Sequence, residues 1–158
     1  MDIDISAAIK ELQAVKQAVP AMVIQAIETA CFQVVQKARA KGLDYNGGRD
    51  QKTGRKIYYE DQTHRLRSSI GFGVYYNGEL VASNFVNQGG EKGAEGVEIA
   101  RQKVQEAAQE AGTNGIVAVV VAGADYATFV EAKGYDVLTG SALELEQLFR
   151  AELQNLSL

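Results

Sequence analysis

Leu66-Arg67-Ser68-Ser69-Ile70-Gly71-Phe72-Gly73-Val74-Tyr75-Tyr76-Asn77-Gly78-Glu79-Leu80-Val81-Ala82-Ser83-Asn84-Phe85 is the stretch on which the fold turns. Leu66, Ser68, Ile70, Phe72, Val74 and Tyr76 fall on alternate positions, and Arg67, Ser69, Gly71, Gly73 and Tyr75 face the other way. A period of two is the mark of a strand with one buried face. Asn77-Gly78 is the strongest two-residue signal for a type I′ turn. The stretch therefore predicts a β-hairpin over 66–85 that pairs Tyr76 with Glu79, Val74 with Val81, Phe72 with Ser83 and Ile70 with Phe85. Val81 and Phe85 then share the apolar face, and a slip of one residue would turn both outward.

Upstream lies one long helical pattern over 5–41. Ile5, Ile9, Leu12, Val15, Val19, Met22, Val23, Ala26, Ile27, Ala30, Val34 and Ala38 recur at steps of three and four. Gly42 stops it. Pro20, the only proline, predicts a kink or break near 17–20 because its ring removes a hydrogen bond and crowds the preceding turn. At about 1.5 Å per residue such a helix is about 50 Å long, more than the width of the domain. Part of its apolar stripe is thus expected to face a neighbouring subunit. Residues 42–63 have no helical period and carry Asn46-Gly47-Gly48 and Thr53-Gly54. They read as a long loop.

Downstream, Val97, Ala100, Val104, Ala107, Ala108 and Ala111 predict a helix over 94–111. Ile116 to Ala122 is an unbroken, largely β-branched run, as expected of a central strand covered on both faces. Tyr126 to Val130 is expected to continue the sheet, giving strands within 115–130. Ser141-Ala142-Leu143-Glu144 has the form of a capping box. It opens a last helix over 141–156 with Leu145, Leu148, Phe149 and Leu156 inward. The order predicts one α+β domain over 1–158, with a small, mainly antiparallel sheet packed against a long N-terminal helix and a C-terminal helix.

The 158 residues are 46% apolar, enough for a core, and the single cysteine, Cys31, excludes an internal disulfide framework. It reads as a small buried hydrophobe. No signal peptide is expected from the acidic start, nor a membrane span, since no apolar run reaches about 18 residues. A soluble intracellular product is the default expectation. The net charge of −4 is unevenly spread. Residues 41–67 hold seven basic and four acidic side chains, and residues 68–158 hold five and twelve. A basic segment on an acidic body suits docking on an acidic surface, including another copy's.

Nothing here has the pattern of a catalyst. His64 is the only histidine and has no partner nearby in sequence; no metal-ligand spacing and no phosphate loop are present. No catalytic residue, cofactor or metal is expected, and no small-molecule substrate. Tyrosines beside the basic residues of 42–67 leave a nucleic-acid-binding module as the alternative. A pI near 5.1 argues against it.

Two motifs carry a resemblance. Gln62-Thr63-His64-Arg65-Leu66-Arg67-Ser68-Ser69-Ile70 is similar to an Asp-Thr-Gly-x-Leu-Arg-x-Ser-Ile motif, with His64 where the motif has glycine. Tyr126-Ala127-Thr128-Phe129-Val130-Glu131-Ala132-Lys133-Gly134 is similar to a later Tyr-Ala-x-x-Val-Glu-x-Gly. Order, spacing from the first helix and the final helix also match. Residues 86–112 look like an insertion, and the proline-rich stretch often seen after the second motif is missing. The family is the tail-completion or head–tail joining group of long-tailed bacteriophages, often described as minor tail proteins. The resemblance implies a non-enzymatic phage or prophage virion structural protein, assembled in the host bacterial cytoplasm. It would form a homo-oligomeric ring and contact tail-tube or connector proteins. Arg49, Lys52, Arg55, Lys56, Arg67 and Glu131 are the expected assembly contacts. Arg67 would stand on the hairpin's outer face with Glu131 as a candidate partner, within the subunit or across an interface.

Overall fold

The computed structural model describes residues 6–41, 61–125, 127–133 and 135–156. The elements are α1 (Ser6–Ala40), α2 (Arg65–Ser68), β1 (Ile70–Tyr76), β2 (Glu79–Asn84), α3 (Gly93–Ala111), β3 (Ile116–Ala122), α4 (Ala127–Ala132), α5 (Thr139–Ala142) and α6 (Leu145–Asn155). The strands form one antiparallel sheet in the order β2-β1-β3. The α+β architecture is as expected. The centre of the sheet is β1, however, and the β-branched run of β3 is an edge strand, half-buried along its length.

Alternation along β1 builds two layers. Ile70, Phe72 and Val74 are fully buried on the face that meets Cys31, Val35 and Ala38 of α1. Leu66, Ala124, Ala127 and Val137 close this core. On the other face Gly71 and Gly73 carry no side chain, which lets α3 approach. A Cβ on Gly73 would lie 2.7 Å from Cγ1 of Val104. Ala100, Val104 and Ala108 of α3 are buried there. Helices thus cover both faces of the sheet.

The hairpin begins later and pairs differently than the alternation predicts. Leu66 to Ser68 form the helical turn α2, not strand. Asp61 accepts hydrogen bonds from the backbone N–H of Arg67 at 2.7 Å and of Leu66 at 3.4 Å, satisfying groups that a helix start leaves unpaired. The turn at Asn77-Gly78 forms as predicted, with positive φ at both residues, and Tyr76 pairs with Glu79. A bulge between Val74 and Tyr75 then shifts the register, so Val74 pairs with Ala82 and Phe72 with Asn84. Ala82 packs against the core and Val81 is exposed. Phe85 crosses to the opposite face, where it lies against Gly71 with the guanidinium of Arg101 above its ring. One extra residue inverts the facing of all that follows it.

Three other expectations are corrected. α1 does not break at Pro20: the ring costs one backbone hydrogen bond, and the helix-favouring residues on either side carry the helix past it. The strand expected over Tyr126 to Val130 does not form from Ala127 on, because Ala127 to Ala132 turn into α4, and Tyr126 lies outside the described residues. Ser141 is not an N-cap but lies buried inside α5, and the final helix starts at Leu145. α1 is also long and apolar enough, by length and composition, to cross a membrane. Its C-terminal half, from Ala26 on, is the helix against which the core is built.

Candidate assembly surface

α1 has two unlike halves. From Ala26 to Arg39 every turn contributes buried residues. From Ser6 to Val19 every residue is exposed, so this half is an arm standing off the domain. The exposed side chains include Leu12 at 69%, Val15 at 59%, Ile9 at 45% and Val19 at 37%. They recur at steps of three and four and so line one broad face. A soluble chain rarely leaves a row of large apolar groups uncovered unless something docks there. Beside the arm, Gln13, Lys16, Gln17, Pro20, Ala21 and Ile24 face Tyr76 at the hairpin tip across an open groove of about 740 Å³.

The C-terminal end of α1, opposite the arm, is fixed by two buried arginines. Arg39 donates from Nη2 and Nε to the carbonyl of Ile70, at 2.7 and 3.2 Å, and from Nη1 to Oδ1 of Asn84 at 2.7 Å. It thereby ties the end of α1 to the start of β1 and the end of β2. Burial, and after it the neighbouring Arg67 charge, brings its pKa down to about 10. Arg67 donates from Nε to the carbonyl of Arg39 at 3.1 Å, capping the C-terminus of α1, and from Nη2 to Oε1 of Gln88 at 3.1 Å. Among the described residues no carboxylate pairs with either arginine.

The expected contacts divide as follows. Arg49, Lys52, Arg55 and Lys56 lie outside the described residues. Arg67 is 5% exposed and is not on an outer face of the hairpin. Its motif turns as helix, which points the side chain under the end of α1. Glu131 does not meet Arg67. Its Oε1 accepts from the backbone N–H of Leu138 at 2.8 Å and of Thr139 at 3.0 Å, and Oε2 accepts from Thr139 Oγ1 at 2.8 Å. Glu131 thus caps α5. Partial burial would raise its pKa, but those hydrogen bonds outweigh it and hold the carboxyl below its ordinary value.

A sign follows. A carboxylate held low in the fold adds stability above its unfolded pKa of about 4.5, and the gain disappears as pH falls through the lower folded value. Glu131→Ala is therefore expected to cost about 1–2 kcal/mol at pH 7. The gap between variant and parent should narrow below pH about 4.5 in urea titrations. A gap that is constant down to pH 3 would contradict the capping role.

The first sequence motif meets the segment that leads into the second. Gly123 N–H donates to the carbonyl of Ser69 at 2.9 Å, and Ala124 N–H to Ser69 Oγ at 3.0 Å. His64 takes a left-handed conformation at φ 58°, with Nδ1 2.7 Å from the carbonyl of Gln88. Cys31 is fully buried, and burial pushes its thiol up to about 11. Among the described residues no group of three metal-ligating side chains converges. The length and apolar spacing of α1 already point in the sequence to a contact with a neighbouring subunit, whereas Arg67 and Glu131, also expected as contacts, do not lie on this surface. The apolar stripe was visible in the spacing. What was not visible is where the body of the protein stops covering it. No family model, no curated protein and no solved structure matches this chain.

Proposed function

We propose that this chain is a structural subunit of a phage or prophage virion, working in tail completion or head–tail joining by assembling with copies of itself, without catalysis. The observation that carries this reading is the arm. A rigid helix anchored by Arg39 and Arg67 presents Ile9, Leu12, Val15 and Val19 to solvent, a surface suited to a protein partner. Two details of the motifs add support. His64 stands where the family motif has glycine, and its left-handed φ is one that glycine adopts without strain. The second motif packs by its Ala127 into the same core as Leu66 and Ile70 of the first.

Binding of nucleic acid through 42–67 is disfavoured by the basic groups described there. Arg67 is buried and Arg65 pairs with Glu95 at 2.8 Å. The function is tested by light scattering of the full chain at rising concentration, alone and with tail-tube or connector protein. Self-association, or a stable complex with either protein, is expected. A strict monomer that binds neither would overturn the reading.

A further inference from the structure

We infer that the arm of α1 docks on the same arm of a second copy, side by side and parallel, as a short coiled coil. The inference rests on the assembly reading above and names the surface and geometry through which assembly occurs.

Seven-residue spacing keeps a helical position on nearly the same face. Leu12, Val19, Ala26 and Gln33 are such a series. Its lower end is already an interhelical seam. Ala26 is buried, and Gln33 donates to Oε1 of Glu152 on α6 at 3.1 Å. Lys37, on the next turn, pairs with Glu144 just before α6. α6 ends at Asn155, and above it the same face continues bare through Val19 and Leu12. With Leu12 and Val19 at the first heptad position (a), Val15 and Met22 fall at the fourth (d). That is an apolar seam of the coiled-coil type. Of the groove residues, Gln13, Gln17, Pro20, Ala21 and Ile24 fall on outer positions, toward the chain's own hairpin, while Lys16, at the fifth position, stands on the edge between groove and seam, so the seam itself stays free for a neighbour.

Charge fixes the direction. In this frame Glu11 is at the seventh position (g) of one heptad and Lys16 at the fifth (e) of the next. Five residues apart, they do not face each other along one helix, where only steps of three and four bring side chains together. Neither forms an ion pair among the described residues. Across a parallel pair in register, g and the following e of the partner helix are the flanking positions that meet. Each Glu11 then faces a Lys16 of the neighbour. An antiparallel pair would not bring the two together.

The test is charge reversal in the full chain, read by native mass spectrometry and sedimentation. Glu11→Lys and Lys16→Glu, singly, are each expected to weaken self-association by about tenfold. The double reversal restores it. A Leu12→Cys chain should form a disulfide-linked dimer on mild oxidation, because first-position residues face their own copies in a parallel pair, while Cys31 stays buried. Singles that weaken association without rescue by the double would overturn the parallel register. Association indifferent to all three variants would overturn this surface and leave assembly through another face standing. A chain that is monomeric throughout, yet binds a tail-tube or connector protein, would overturn the self-docking and leave the assembly reading intact. A monomeric chain that floats with phosphatidylcholine vesicles, in a manner abolished by Leu12→Asp, would assign the stripe to lipid and also overturn the proposal.

Discussion

Gly96→Ala is expected to lower stability by about 3 kcal/mol, and Tm by roughly 10 °C, although alanine is the better helix former by about 1 kcal/mol. Gly96 lies within α3 where that helix crosses α2. A Cβ there would sit 2.3 Å from the carbonyl oxygen of Arg65, 2.9 Å from Cβ of Ser68 and 3.1 Å from the nitrogen of Ser69. Two of these three are backbone atoms and cannot turn aside. The α2 turn cannot retreat cheaply either. Asp61 holds its start, and Ser69 bonds to both Gly123 and Ala124 at its end. Gly93→Ala is the comparison. Its Cβ would meet Oδ1 of Asn87 at 2.1 Å, the end of a side chain that can swing away. It should cost only about 1 kcal/mol. Urea unfolding of both variants checks the contrast, and equal costs would show that the α2–α3 crossing is looser than described.

Arg39→Met is expected to cost about 2–3 kcal/mol. Methionine keeps the apolar stem and the helix propensity. It removes every donor to the carbonyl of Ile70 and to Oδ1 of Asn84, which then lose charged partners in a buried setting. Two effects oppose the loss: the buried charge no longer has to be desolvated, and its repulsion of Arg67 disappears. The loss wins because the acceptors remain buried while only their donor has gone. Arg39→Lys should recover little, since one ammonium cannot reproduce the fork that reaches Ile70 and Asn84 together. A double-mutant cycle with Asn84→Ala should give a coupling of about 1 kcal/mol. Wild-type stability in Arg39→Met would mean that Arg39 does not anchor the C-terminal end of α1.

Local pattern made much of the fold legible. Asn77-Gly78 fixed a turn because both residues tolerate positive φ. Gly93 to Ala111 and Ile116 to Ala122 declared themselves by period and β-branching. The failures share one cause: tertiary partners overrode the local period. Leu66 and Ser68 alternate like strand residues, yet Asp61 and Ser69 make a helical turn of them. Val81 alternates correctly, but the bulge inserts one residue and Ala82 takes its place against the core. Ser141-Ala142-Leu143-Glu144 has the letters of a capping box, yet Glu131 and Asp136 cap the α5 turn instead. At the candidate surface the stripe of α1 was legible as spacing. Arg67 was misplaced because its role depends on the end of a helix nearly thirty residues upstream. Charged residues in a sequence advertise contacts; a covered or uncovered helix face can be judged only with the rest of the fold in place.

We propose that the exposed half of α1 is the assembly surface. Sedimentation equilibrium of the full chain, beside Leu12→Asp/Val19→Asp, tests it most directly. Both positions are solvent-exposed, so the variant should keep the parent's circular dichroism. A concentration-dependent oligomer is expected for the parent, and a monomer for the variant over the same range. An oligomer of unchanged size and strength in the variant would contradict it.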